Sequence, residues 1–404
     1  MFYVSILAVL AAYLLLVRVL RYRRRDDIQR RYPYKTREEM ASMSLSDAAA
    51  IMRELSDREF PTIFYSSVSF ALFKTYGIPT ISKLLVATSQ LSGDATASKR
   101  RTDTGVLMTE IIFNDPASRR NISAVARVNF LHDGWRRAGK ISNDDMLYTL
   151  SLFALEPVRW TAKYEWRDLT VIEKTAMAVF WKDLGREMLV DYDGLAPHMG
   201  GKDDPLAWLE ALQVWSIEYE EEYMVYSVPN EKLARANTNL IMLDLPTFAH
   251  GFVFAQLRCL MDPILRHAMG YKDPSDFQFA IFRQLVSLRR WIIRHLCLPR
   301  PKWWTNPLIP DKADPRTGRF CLPSYLAHPY YVKPTFYSRW GPSAMYSRLI
   351  GGCLPGDEDD KYYPNGYVIS EVGPEGQIGK GKEHMDTTRE RIAKARGCPM
   401  AFGV

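Results

Sequence analysis

Residues 124–139 read AVARVNFLHDGWRRAG. Val125, Val128, His132 and Trp135 fall three, four and three positions apart, so a helix carries all four on one face. Arg136 follows one turn on along that side, whereas Arg127 and Arg137 point elsewhere. The stretch predicts an amphipathic helix with an imidazole set into its apolar stripe. Such a histidine is either a hydrogen-bonded core residue or a ligand facing a pocket, and spacing alone fits both.

The helical period extends outward over residues 36–298. Thr170-Val-Ile-Glu173 has the form of a capping box opening VIEKTAMAVFWKDLGREMLV, and Ser142 precedes DDMLYTLSLFAL, a helix expected to stop at Glu156-Pro157. Period-2 alternation bounded by hairpin turns is almost absent, so the fold class is all-α. With 404 residues, 47% apolar and 25% charged, the chain is long enough to bury a sizeable core. Neither an internal repeat nor a low-complexity tract interrupts it. The composition changes after Leu298: 13 of the 24 prolines lie in residues 299–404, among aromatic runs such as HPYYVKPTFYSRWGP. Proline withholds backbone donors from helix and sheet, so this segment is expected to be an irregular wrap packed over the helical body.

The first twenty residues, MFYVSILAVLAAYLLLVRVL, carry no charge before Arg18. At ~1.5 Å per residue they reach about 30 Å, one bilayer core. Positive charge follows the apolar run, as RVLRYRRRDDIQRR, instead of preceding it, which reads as an uncleaved transmembrane anchor and not as a signal peptide. The basic cluster belongs on the cytosolic side, so residues 1–20 are the anchor, 21–35 a basic juxtamembrane segment, and the body faces the cytosol. Residues 18–31 hold seven arginines and two aspartates, which leaves little of the net charge of +7 for the rest. Nucleic-acid binding is therefore not expected. Cysteines 259, 297, 321, 353 and 398 are odd in number and widely spaced, and read as reduced, small apolar residues.

Upstream of the histidine, KRRTDTGVLMTEII places Arg100 and Thr104 four apart, on a face that continues through Leu107 and Ile111. As structure this is an amphipathic helix with a solvated first turn; as function it is a fixed cation and a hydroxyl at the mouth of an apolar pocket. Other chemistries fail on spacing. There is no His-Glu-x-x-His, no Cys/His tetrad, no Gly-x-Gly-x-x-Gly and no Gly-x-Ser-x-Gly. His384-Met-Asp386 has facial-triad spacing but lies in the polar tail, and Cys259 sits eight residues past Gly251, too far for a thiolate–heme signature. A helical body with an apolar pocket and one histidine remains, an arrangement that can hold heme iron on one side.

The motifs KRRTDT, ARVNFLHDG, LYTLSLFALEPVRW, YEWRDLT, FWKDLG and RWGPSAMYSRLIGGCLPGDEDDKYYPNGY resemble those of the fungal endoplasmic-reticulum (ER)-bound oxygenases of the MpaB type, over nearly the whole chain. The helical middle also resembles the catalytic domain of the bacterial rubber oxygenases, the latex clearing proteins. That second resemblance implies a globin-like helical domain holding heme b through His132, with Arg100 and Thr104 as catalytic residues that face the heme site and orient dioxygen or a propionate, and with Arg136, in the place of a following arginine, as a further cofactor contact. The rubber enzymes carry an iron-capping lysine just before the threonine; here that residue is Asp103, so a lysine-capped iron is not expected.

The resemblance further implies an oxygenase that uses dioxygen to cleave a carbon–carbon double bond in the farnesyl side chain of a meroterpenoid, as in mycophenolic acid biosynthesis, at the ER membrane. Two other classes fit the residues alone: a non-catalytic membrane heme protein, such as an electron carrier or sensor, and a structural membrane protein without cofactor.

Overall fold

The computed structural model describes residues 2–88, 94–301, 303, 308, 310 and 312–397; Cys398 lies outside them. Among the described residues the fold is all-α. No strand forms, and β pairing is confined to the isolated bridges Phe320–Tyr367 and Leu326–His328.

The centre of the body is the pair Pro61–Thr75 and Asn143–Tyr164, which pack along each other. Around them lie Asp94–Phe113, Arg119–Arg137, Val171–Glu187, Pro205–Tyr223 and Val228–Met242. Local chemistry starts these helices where their sequences indicate. Ser142 Oγ accepts the Asp145 amide at 2.9 Å, Ser118 Oγ the Asn121 amide at 3.2 Å, and the Glu173 carboxylate the Thr170 amide at 2.7 Å.

One helix outruns its sequence signal. Pro157 was expected to end the run after Ser142, yet the helix continues to Tyr164. An internal proline costs about 3 kcal/mol, but here the turn beyond it carries Trp160, Thr161 and Tyr164 into the interior. Side chains also reinforce that turn: Thr161 Oγ1 donates to the Pro157 carbonyl at 2.7 Å, and Trp160 Nε1 to Glu156 at 3.0 Å. Burial outweighs the lost ladder bond.

The N-terminal helix Phe2–Arg21 is long and apolar enough to cross a membrane, and most of it is exposed. Helix ends fall near residues 20 and 35, at Arg21 and between Arg31 and Arg37, but the segment between them packs on the body. Val17 and Arg21 are buried, Arg21 lies over the Trp166 ring at 4.2 Å, and the helix Arg23–Arg31 sinks Ile28 into the core. Arg24 and Arg31 pair with Glu59 and Glu54, each at 2.7 Å. The basic segment therefore belongs to the body, because its arginines meet carboxylates there instead of staying free for lipid.

The described residues beyond 298 are largely irregular and pack over the helices, but they include the short helices Phe336–Trp340 and Pro342–Leu349 and the longer Lys382–Ala395, which lies on Arg119–Arg137. Its buried residues Met385, Thr388 and Ile392 are spaced three and four apart, a stripe too narrow to stand out in a mostly polar run. Gly381 allows this approach. Its φ is +82°, and a Cβ there would meet the Phe130 ring at 2.2 Å. Arg127, fully buried, ties the wrap down by donating to the carbonyls of Val372, Lys380 and Gln377 at 2.9, 3.2 and 3.0 Å.

Removing those donors leaves three carbonyls short of partners. Arg127→Met is expected to lower the unfolding free energy by roughly 3 kcal/mol and to open residues 372–380 to limited proteolysis. Arg137→Met, on the exposed flank of the same helix, should stay within about 0.5 kcal/mol in the same denaturant titration.

Candidate active site

Beneath the wrap the helices enclose a cavity of about 840 Å³, within the range of small-molecule and cofactor sites. Its wall is built from the two amphipathic faces seen in the sequence. Arg100, Thr104, Leu107 and Ile111 of Asp94–Phe113 line one side, and Val128 and His132 of Arg119–Arg137 line another. The periodic stripe on the histidine helix ends there, since Trp135 turns out to the surface at 43% exposure. Five residues in π-helical geometry, Leu55–Glu59, bring Ser56 and Asp57 to the rim.

His132 borders the cavity, and neither ring nitrogen bonds to a described residue; Nδ1 is sealed from solvent without a partner. Burial, reinforced by the positive charges of Arg100 and Arg136, pushes its pKa down to about 4. At cellular pH the imidazole is neutral, with a lone pair free for a ligand bond. A satisfied core histidine would spend its nitrogens on hydrogen bonds; this one does not.

Arg100 Nη1 donates to Thr104 Oγ1 at 3.1 Å, and that hydroxyl donates back to the Arg100 carbonyl at 2.9 Å. The Thr104 proton is thus committed, and the residue acts as a brace that holds a guanidinium at the cavity wall. Asp103 points the other way. It is buried, accepts from Lys99 Nζ at 2.8 Å and from Tyr331 OH at 2.6 Å, and is absent from the cavity wall. Burial raises its pKa while Lys99 and Tyr331 act against that shift. Lys99 also donates to the Gly373 carbonyl at 2.9 Å, so its amine fastens the wrap and does not reach into the cavity.

Arg136 departs from the sequence expectation of a cofactor contact. Its guanidinium donates to the carbonyls of Met188 and Leu189, both at 2.7 Å, and it is not part of the wall. Those carbonyls end the helix Val171–Glu187 and lack intrahelical donors, and Leu189 follows with φ of +59°. Arg136 closes that end and reaches His132 only through its charge.

The polar wall residues Tyr76, Asn237, Thr238 and Arg300 went unseen in the sequence. They come from three distant segments with no shared spacing, so only the fold assembles them. Burial raises the Tyr76 pKa, which keeps it a neutral phenol. Among the described residues no three His, Cys, Asp or Glu side chains gather as a metal site. The residues present do fit the heme implied by the sequence: one unpartnered neutral imidazole, one braced cation suited to a propionate, and largely aliphatic and aromatic walls.

An all-α protein with one N-terminal helix apolar enough to cross a membrane, enclosing a largely apolar cavity whose described wall includes the unpartnered His132, is thus the class that fold and site define. No protein-family model matches the chain. Its relatives include "ER-bound oxygenase mpaB'" of Penicillium brevicompactum, 41% identical over 392 residues, 96% of this chain and 92% of the relative. "ER-bound oxygenase mpaB" of the same organism is 38% identical over 88% of this chain and 84% of its own length. The mpaB protein of Penicillium roqueforti is 43% identical over 65% of this chain and 89% of its own length. The chain belongs to the MpaB family of ER-bound oxygenases.

The depressed histidine pKa has a readable consequence. Between pH 6.5 and about 4 the unfolded chain binds a proton at His132 that the folded chain free of bound groups refuses, so stability falls as pH drops through that window. Comparing urea unfolding of the wild type and His132→Leu at pH 7 and pH 5 should show the variant losing less on acidification, by on the order of 2 kcal/mol. Parallel losses in both proteins would contradict a buried neutral imidazole.

Proposed function

We propose that this oxygenase is heme-dependent and uses dioxygen to cleave a carbon–carbon double bond in a prenyl side chain. The farnesyl chain of a meroterpenoid like those of mycophenolic acid biosynthesis is the substrate inferred from the family resemblance. The observation that carries the reading is the unpartnered, neutral His132 imidazole at the wall of an apolar cavity. The bound heme b supplies dioxygen binding and activation.

The chain's own residues do the rest. His132 would hold the iron from one side through a ring nitrogen, and its depressed pKa keeps protons from competing for that nitrogen. Arg100, braced by Thr104, would neutralise a propionate and so orient the group. Met108, Ile111 and Phe153 keep water from the alkene and favour an isoprenoid chain over a polar one. In the overall reaction the carbon–carbon double bond breaks and each carbon receives one atom of dioxygen as a carbonyl oxygen. Both oxygen atoms enter product, so no reductase is required. The N-terminal helix passes once through the ER membrane with the body in the cytosol, where a lipid-dissolved substrate is concentrated.

The direct test is to incubate membranes carrying the full chain with a farnesylated aromatic under labelled dioxygen. Two carbonyl fragments, each bearing label before exchange with water, are expected; a hydroxylated or epoxidised chain with one labelled atom would replace cleavage by monooxygenation.

Thr104 gives a second, finer test. Thr104→Ser keeps the hydroxyl that braces Arg100 and should retain turnover, whereas Thr104→Val frees the guanidinium. The valine variant should lose about tenfold in turnover. Equal activity in both would remove the brace from the account.

A further inference from the structure

The helix Asp276–His295 carries two apolar faces. The inner one packs Phe282 and Val286 against Ile63, Trp160 and Tyr164, close to the cavity wall, and Arg289 fixes its orientation by donating to the Tyr164 carbonyl at 3.0 Å and Glu165 at 2.8 Å. The outer one presents Phe277, Leu285, Leu288, Trp291 and Ile292 at helical spacing, all exposed among the described residues; Phe277 is 74% exposed and Trp291 53%. Arg283, Arg290 and Arg294 run along one flank, all exposed.

A soluble surface does not leave such a stripe bare without an occupant. The anchor indicates which one. Tyr13, five residues inside the apolar run from Arg18, donates to the Leu296 carbonyl at 2.7 Å, and Arg21 donates to the Cys297 carbonyl at 3.3 Å. Tyr13 and Arg21 are separated by about 12 Å along the helix axis. The end of Asp276–His295 therefore lies beside the part of the anchor that passes from hydrocarbon into headgroups. An apolar stripe with a basic flank at that depth has the form of an interfacial helix.

We propose that Asp276–His295 is a second membrane contact, lying in the headgroup region of an anionic bilayer with its outer face toward the acyl chains. This rests on the reading that the N-terminal helix spans that bilayer. It also sets the cavity rim against the membrane: Arg300 lines the cavity, and its carbonyl accepts from Arg24, just past the anchor, at 2.8 Å. An apolar substrate then enters from lipid without crossing water. The segment 343–354, with Met345 and Leu349 also bare, has no such tie to the anchor; Tyr346 instead bonds the Asp244 carbonyl at 3.1 Å.

The full chain is reconstituted in phosphatidylcholine–phosphatidylserine vesicles containing a lipid with a photoreactive acyl chain, irradiated, and mapped by peptide mass spectrometry. Adducts are expected on residues 2–17 and on residues 285–296, the latter at least about tenfold above the polar helix Lys382–Ala395. Leu288→Glu with Trp291→Glu should abolish the second set while circular dichroism is unchanged. Adducts on 2–17 without any on 285–296, adducts moved to 343–354, or protein–protein links through the outer face would overturn the proposal while leaving the anchor standing. Missing adducts on 2–17 as well would overturn the spanning helix on which it rests.

Discussion

Arg127 is the residue on which the site's construction depends. Its side chain leaves the face of the helix opposite the cavity and spends three donors on carbonyls of the C-terminal wrap. Asp103 and Glu110 do the equivalent on the neighbouring helix, accepting from Tyr331 and Tyr367 at 2.6 and 2.7 Å. The two helices Asp94–Phe113 and Arg119–Arg137 are thus held from behind by buried, charge-assisted bonds. The wrap adds buried apolar residues such as Tyr331, Tyr367, Ile369 and Val372 to the core, and its polar ties fix the orientation of the two helices that carry Arg100, Thr104 and His132.

That arrangement separates two kinds of chemistry by helix face. On these two helices the carboxylates Asp103 and Glu110 are kept behind, where lysine, tyrosine and arginine satisfy them, and the cation of Arg100 and the neutral imidazole of His132 are kept in front. An Asp103 turned into the cavity would offer a proton acceptor beside the imidazole and weaken the grip of Arg100 on an anion. Turned outward, it leaves the front face positive, and that positive field together with burial keeps His132 unprotonated. The cost is an Nδ1 without a partner among the described residues, a penalty of ~1–3 kcal/mol.

Much of this was legible in the sequence because it obeys the 3.6-residue period. The face Arg100, Thr104, Leu107 and Ile111 and the pair Val128 and His132 meet around one cavity, as their spacing requires. Where a residue's partner is distant in the chain, the sequence was mute. Nothing in KRRTDT says that Asp103 meets Tyr331, or that Thr104 gives its proton back to its own helix. The resemblance implied a cofactor contact for Arg136, but nothing in its sequence surroundings says that its guanidinium meets the helix-end carbonyls of Met188 and Leu189. Pro157 failed as a stop signal for a related reason: burial of Trp160 and Tyr164 overrode local propensity.

The proposed heme site rests on His132 being neutral and unpartnered at the cavity wall. The most direct measurement is the absorption spectrum of the detergent-solubilised full chain and of His132→Ala, each with and without added imidazole. The account predicts a Soret band in the wild type, its loss in the variant, and its return when imidazole enters the vacated space. A wild-type chain without heme absorbance after heme loading, or a variant whose spectrum matches the wild type, would contradict it.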